Sequence, residues 1–417
     1  MDAQRADALP VRYAGLDDIV NRVPVSVVWE ITLACDLACS HCGSRAGTRR
    51  RDELNTAEAL DLVDQIAELG ARDVGLIGGE AYLRKDWLQI VSAIRAAGMR
   101  CDLQSGGRNL TEQRVASAAA AGLCGIGISL DGIGATHDTV RGLHGSYDLA
   151  IAALGRVRVH GLSAAVNTQI NAYTLPQLRE LMDVIIEAGA TNWQLAITTA
   201  MGNAADHPEM LLQPWQMLEV MPLLADLAVK GRDRGLFLQP ASNVGYYGPH
   251  ESVIRNVVDP EIHFHGCNAG DTVMGIEADG TIKSCPGLGK AYAGGNVRET
   301  RLRDIWEKSE AIAFNRRRTV DDLWGFCRTC YYAETCMAGC TWTSHALMGR
   351  PGNNPMCHHR ALEMDRQGLR ERLVKVKDAP GRSFDNGEFE IVVEPVTAPI
   401  PSGWSSSIPL RLVATNG

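Results

Sequence analysis

No apolar run of roughly 18 residues occurs in this chain, so no segment reads as a membrane-spanning helix. The opening MDAQRADALPV has neither an apolar core nor a small-residue cleavage site, so it is no ordinary secretory signal, and the expected compartment is the cytoplasm. Positive charge is also short. Lys and Arg number 41 against 49 Asp and Glu, a formal net charge of −8, which disfavours nucleic acid as a partner. Internal repeats are missing apart from an alternation of strand-like and helix-like segments. With 417 residues, 45% hydrophobic and 22% charged, the chain reads as an ordinary globular protein long enough for two domains.

Cysteine is what the chain has in plenty. Ten of its twelve cysteines form two sets, Cys35/Cys39/Cys42 and Cys267/Cys285/Cys327/Cys330/Cys336/Cys340/Cys357, and neither set pairs sensibly as disulfides. A cytosolic chain keeps its thiols reduced, so clustered cysteines point to metal. The first set, C-x3-C-x2-C, offers three thiolates where a cubane cluster has four irons, which leaves one iron open for chemistry. The second set contains C-x2-C-x5-C-x3-C from Cys327 to Cys340. In isolation that spacing is also the spacing of a structural zinc ribbon.

Six strand–helix units precede the second set. The strands are VSVVWEITL, DVGLIGG, RCDLQSGG, CGIGISLDG, SAAVNTQIN and NWQLAIT, each followed by a helical stretch, the last from about Pro214 to Arg234. Strands without clean alternation, each followed by a helix, imply a parallel sheet covered by helices. Asn55 with Glu58 and Thr174 with Gln177 have capping-box spacing, and Gly70, Gly98, Gly122, Gly161 and Gly189 close helices. Ligands gather at the C-terminal ends of such strands. Five features fall there: the first cysteine loop, Gly78-Gly79-Glu80, Ser105-Gly106-Gly107, the run from Ser129 to Gly132, and Asn167.

The cysteine loop after strand one and the Gly-Gly-Glu after strand two resemble the radical S-adenosylmethionine (SAM) superfamily. The resemblance implies an α/β fold, a partial (β/α)6 TIM-like barrel, and a [4Fe–4S] cluster on Cys35, Cys39 and Cys42 whose open iron chelates SAM. It also implies that Gly78 and Gly79 let backbone approach the methionine moiety and that Glu80 faces its ammonium group. Ala81 stands where the family usually has proline. Ser129, Arg141 and Asn167 match positions that bind the SAM carboxylate or ribose.

The second cysteine set, with Gly280-x4-Cys285 and the segment GGNVRETRLRDIWEKS, resembles a SPASM domain. GIEADGTIKSCPGL reads as a hairpin turning at Asp279-Gly280, with helices after it. By resemblance Cys267, Cys285 and Cys340 hold an inner auxiliary cluster, and Cys327, Cys330, Cys336 and Cys357 an outer one. That makes three [4Fe–4S] clusters. Two auxiliary cubes need eight ligands and seven cysteines are present, so the inner one lacks a ligand, for which His263, His265 and Asp271 are the nearby candidates. Cys101 and Cys124 fall outside both sets and read as packed thiols.

The expected domains are an extension over 1–24, the barrel over 25–235, a groove-shaping linker over 236–266, SPASM over 267–360, and a helix with a loose tail over 361–417; the helical stretch itself, HHRALEMDRQGLRERLVKV, runs from His358 to Val376, and FEIVVEPV could add a strand. The resemblance implies SAM cleavage and hydrogen abstraction from a ribosomally made peptide or protein, by cross-linking, thioether formation, epimerisation or oxidation, with ferredoxin or flavodoxin as electron donor. A small-molecule substrate such as a sugar or amino acid, and a noncatalytic zinc protein, are the alternatives. The 25 or so residues before strand one are too few for a leader-binding domain. Asp131 reads as structural, and Asp102 and Tyr246 are weak catalytic candidates.

Overall fold

The first strand, β1 (Ser26–Glu30), sets the two faces of the sheet. Val27 and Trp29 are fully buried, whereas Ser26 and Val28, on the opposite face, are only partly covered. Parallel strands follow in order: β2 (Asp73–Ile77), β3 (Arg100–Ser105), β4 (Gly125–Ser129), β5 (Ser163–Ile170), β6 (Asn192–Ile197) and β7 (Phe237–Pro240). The computed structural model describes residues 14–245, 248–255 and 266–400.

One face of these strands is apolar and takes the helices. Val74, Leu76, Ile126, Ile128, Val166, Trp193 and Leu195 are buried there, against helix faces such as Leu62, Val63 and Ile66 of Thr56–Glu68 or Leu181 and Ile185 of Leu178–Glu187. Each such side chain contributes roughly 1.5–3 kcal/mol. The other face carries Glu30, Gln104, Ser129, Asn167 and Gln194 at the alternate positions, so the inside of the partial barrel is polar.

Helix boundaries follow the expected signals in most places. Asn55 and Glu58 form a reciprocal capping box, with bonds of 3.0 and 2.8 Å. The five helix-closing glycines all take positive φ, between 72° and 93°. The Thr174–Gln177 box does not form. Leu175-Pro176 makes a 3-10 turn, Thr174 Oγ1 bonds Gln169 O at 2.7 Å, and the Gln177 amide crosses to Thr136 Oγ1 and the Ile133 N–H, both at 2.9 Å. β7 falls within the stretch that the sequence suggests is linker. It is short and ends in Pro240, which an end strand tolerates because its outer edge needs no N–H.

β8 (Val273–Ile276) and β9 (Thr281–Lys283) form the expected hairpin, with Gly280 at φ 86° in its turn, and β10 (Ala293–Asn296) pairs with β9. β8 also pairs in parallel with β1, so the sheet runs β10-β9-β8-β1-β2-β3-β4-β5-β6-β7 without a break. The cysteine-rich part is thus annealed to the barrel edge.

Near the end of the described chain, the helical stretch expected from His358 to Val376 is half wrong. The helix stops at Arg366, Gly368 turns at φ 70°, and β11 (Leu369–Lys377) pairs antiparallel with β12 (Glu388–Pro395), the strand expected in FEIVVEPV. A buried bidentate pair, Arg360 to Glu371 at 2.6 and 2.7 Å, ties the helix to the ribbon. Removing one partner strands a buried charge, so Glu371→Ala should destabilise the ribbon by about 3–5 kcal/mol. Urea titration of the ligand-free chain checks this, and a loss below about 1 kcal/mol would refute it.

Candidate functional site

The chain leaves β1 into a long loop that carries Cys35, Cys39 and Cys42, and this loop lies directly on the turn after β2. Gly79 N–H bonds Thr32 O at 2.9 Å, and Glu80 N–H bonds Ala34 O at 2.7 Å. A Cβ on Gly78 would stand 2.4 Å from Thr32 O, and one on Gly79 2.1 Å from Ala34 O. The structure therefore gives the two glycines a role in the chain's own packing: side chains there would push the cysteine loop away.

Glu80 is buried beneath that loop. Ser105 Oγ and Gly106 N–H each donate to its carboxylate at 2.6 Å. Burial pushes its pKa up to about 7, against those two donors. Its carboxylate, Cys35 Sγ and the Asp36 carboxylate lie within 4.8 Å of one another. Asp36 is held in turn by Tyr82 OH, at 3.1 Å, and by Asn109 Nδ2, at 2.6 Å. These three partners escape the sequence argument, although Tyr82 sits two residues past the Gly-Gly-Glu.

Arg141 approaches from the turn that ends the helix Ala135–Arg141. That turn docks on the cysteine loop through Ser40 N–H to Val140 O at 2.9 Å. Arg141 Nη1 lies 3.5 Å from Cys39 Sγ, and Nη2 pairs with Asp131 Oδ2 at 2.5 Å. Burial works against the Asp131 charge, but Arg141 and His41 hold its carboxyl below the usual range. Asp131 thus has the structural role expected of it. Ser129 and Asn167 are cross-strand neighbours, and Asn167 Nδ2 bonds Gln104 Oε1, a pair for which Gly127 leaves room.

A buried ionic cluster joins this mouth to the cysteine-rich part. Arg50, from the first cysteine loop, reaches Glu277 at 2.7 Å and Glu30 at 3.3 Å, and Lys283 pairs with Glu277 at 2.8 Å. Lys283 also donates to Pro286 O and Leu288 O, so its 1% exposed side chain is fully matched. Nothing in the spacing of these residues signals their convergence.

The seven later cysteines fall in two places. Cys267, Cys285 and Cys340 lie close enough to act on one another's charge. Cys327, Cys330, Cys336 and Cys357 line one small cavity with Phe326, Tyr332 and His359. Burial raises Cys35, Cys285 and Cys357 to about 12 and Cys340 to about 11. Such thiols shed their protons only to a metal at neutral pH.

The donor sets fit clusters better than single zinc ions. Zn–S bonds of about 2.3 Å bring tetrahedral sulfurs to roughly 3.8 Å of one another. Among the described residues, Cys35, Asp36 and Glu80 alone form a trio of potential ligands within 4.8 Å, so none of the cysteine trios closes that tightly. A four-iron cube, being wider than one ion, takes the looser spacing.

Of the remaining candidates, some are engaged by other partners and some lie outside the described residues. Asp271 is engaged by Asn315 Nδ2 at 3.0 Å, with Arg316 at 3.7 Å. His263, His265 and Tyr246 lie outside the described residues. Asp102 is pinned by Arg100 at 2.8 and 2.9 Å. Cys101 is buried at the start of β3, and its carbonyl accepts from the Cys124 N–H at 2.8 Å, at the strand ends away from the mouth.

Residues 29–185 match the family model of the Radical SAM superfamily, and with the parallel barrel and its cysteine loop they define the class of protein. Residues 267–331 match the SPASM iron-sulfur cluster-binding domain, and the chain belongs to the radical SAM enzymes that carry one. Among similar proteins, the AdoMet-dependent heme synthase of Oleidesulfovibrio alaskensis is 27% identical over 80% of this chain and 87% of its own. The mycofactocin maturase MftC of Mycolicibacterium smegmatis is 28% identical over 93% of this chain and 95% of its own. The crystal structure of Streptococcus suis SuiB bound to S-adenosylmethionine superposes with a TM-score of 0.63 over 85% of this chain and 84% of that one, at 17% identity, a likeness of fold.

Glu80 supplies a pH test. The folded chain keeps its proton up to about pH 7 and the unfolded chain loses it near 4.5, the ordinary value for a glutamate. Between those values the folded state binds more protons, so the stability contributed by this residue falls as pH rises. Glu80→Gln should gain stability on the ligand-free wild type from about pH 4.5 to 7. Urea titrations showing a constant difference across that window would refute the burial account.

Proposed function

We propose that this chain cleaves SAM reductively and uses the product to take hydrogen from a ribosomally made peptide. The observation that carries the peptide assignment is the span of the MftC match, 93% of this chain and 95% of that maturase. A small-molecule substrate is the second reading, favoured by the heme synthase match, which covers 80% of the chain.

The chemistry that a [4Fe–4S] cluster and SAM supply together is scission of the sulfonium to a 5'-deoxyadenosyl radical. The chain's part is to bind, orient and exclude water. Cys35, Cys39 and Cys42 would hold the cluster, with Gly78 and Gly79 letting their loop lie flat. Glu80, already aimed by Ser105 and Gly106, would receive the SAM ammonium in a charge-assisted contact. Arg141 offers the carboxylate a cation beside Cys39, and Ser129 and Asn167 offer hydrogen bonds from the barrel wall.

Two auxiliary clusters complete the reading, the inner on Cys267, Cys285 and Cys340 and the outer on Cys327, Cys330, Cys336 and Cys357. Among the described residues the inner site would be one protein ligand short, with Asp271 held by Asn315 and with His263 and His265 outside those residues. We assign the barrel to residues 25–240, with β7 as its last strand, SPASM to 267–360, and a helix with the β11–β12 ribbon to the stretch after it. The setting would be cytoplasmic, with ferredoxin or flavodoxin as donor, in keeping with the lack, among the described residues, of any helix long and apolar enough to cross a membrane.

Anaerobic reconstitution should give ~12 irons per chain and, under reduction, 5'-deoxyadenosine from SAM. Replacing Cys35, Cys39 and Cys42 by alanine should abolish the cleavage and remove about a third of the iron. Stoichiometric zinc without iron would sink the proposal.

Substrate class is read by mass spectrometry with a short precursor peptide encoded beside this protein. We expect loss of two hydrogens for a cross-link, or no mass change with an altered stereocentre. An unmodified peptide alongside turnover of a sugar, amino acid or tetrapyrrole would decide for the second reading.

A further inference from the structure

The ribbon of β11 and β12 lies outside both matched stretches, 29–185 and 267–331, yet the loop that joins its strands reaches the first cysteine loop. Phe384 donates its N–H to Gly43 O at 3.0 Å, one residue past Cys42. Asp385 accepts from Arg45 Nε at 3.0 Å and from Arg382 N–H at 2.7 Å, and its carbonyl takes the Gly202 N–H at 2.7 Å.

Asn203, next along from Gly202, closes the circuit. Its N–H bonds Cys42 O at 3.0 Å and its side-chain amide bonds Cys39 O at 2.8 Å. A Cβ on Gly202 would stand 2.4 Å from Cys42 O, so the fit is tight. Toward the cysteine-rich part, Lys283 Nζ lies 3.7 Å from the centre of the Phe384 ring. One loop thus touches the first cysteine loop, the turn after β6 and the SPASM hairpin.

Backbone conformation marks the same place. Arg45 and Phe384 both take left-handed φ, 49° and 56°. Non-glycine residues persist there when their surroundings over-determine them. Arg45 also pairs with Asp206, whose side chain is 42% exposed, whereas that of Asp385 is 8% exposed. Asp206 makes the two-pronged contact, at 2.5 and 3.1 Å, and Asp385 the more water-shielded one, which solvent screens less.

We propose that the loop between β11 and β12 is a strap that positions Cys39 and Cys42, with Asp385 as its anchoring residue. Its carboxylate fixes Arg45 and its carbonyl fixes Gly202, and through Asn203 these hold the main-chain oxygens on which the direction of the two thiols depends. The importance of the strap for reaction rests on the function proposed above.

The test is hydrogen exchange on the full, iron-reconstituted chain, with SAM affinity measured alongside. Asp385→Ala should raise exchange at residues 39–47 about tenfold and weaken SAM binding about tenfold, with residues 327–340 unchanged. Asp385→Asn, which keeps an acceptor for Arg45, should restore both to within about threefold of the wild type. Should Asp385→Ala fail to fold, Phe384→Ala is expected to loosen residues 39–47 with the same selectivity. Wild-type exchange at 39–47 in these variants, or equal loosening of both cysteine regions, overturns the strap. A wild-type chain that cannot cleave SAM would sink the functional proposal alone, since the exchange comparison needs no turnover.

Discussion

Burial of the thiols is the constraint on which this structure turns. Cys35, Cys285 and Cys357, raised to about 12, sit where a bare thiolate cannot survive, and few cations are at hand to rescue one. Arg141 beside Cys39 is one, and it is already shared with Asp131. Deprotonation therefore has to be driven by a metal, and metal affinity is linked to pH through the protons released.

The same economy governs the other charges there. Glu80, pushed up to about 7 by burial, is only partly ionised at neutral pH until a cation comes to it, whereas Glu277 is given Arg50 and Lys283 and held below the usual carboxylate range despite burial. A carboxylate left short of partners is one prepared for a ligand. A fully matched one is a joint. The contrast separates the SAM side of the mouth from the seam to the cysteine-rich part, though both lie at the C-terminal ends of neighbouring strands.

Local signals carried the fold and the cysteine sets. Six strands, the Asp279-Gly280 turn and the helix-closing glycines are written in short stretches, and so are the two cysteine sets themselves. Non-local contacts were not legible. β7 has too few residues and a proline. The second half of His358–Val376 is a strand because β12, some twenty residues on, pairs with it and because Gly368 breaks the helix. Gly78 and Gly79 were assigned to ligand approach for want of any sign that Thr32 and Ala34 lie against them. Asp36 with Tyr82, Arg50 with Glu277, and Arg45 with Asp385 are separated by up to 340 residues, and no spacing rule spans that distance.

The parallel pairing of β8 with β1 bears on how the protein is made. Strand β1 leaves the ribosome well before its second neighbour, Val273–Ile276, which follows nearly 250 residues later. During that interval one edge of the nascent barrel is an unpaired strand, an invitation to wrong partners. The first cysteine loop springs from that edge, and its Arg50 has no Glu277 to meet until the hairpin emerges. Translation order therefore sets assembly order: the first cysteine loop gains its seam only once the SPASM hairpin has emerged.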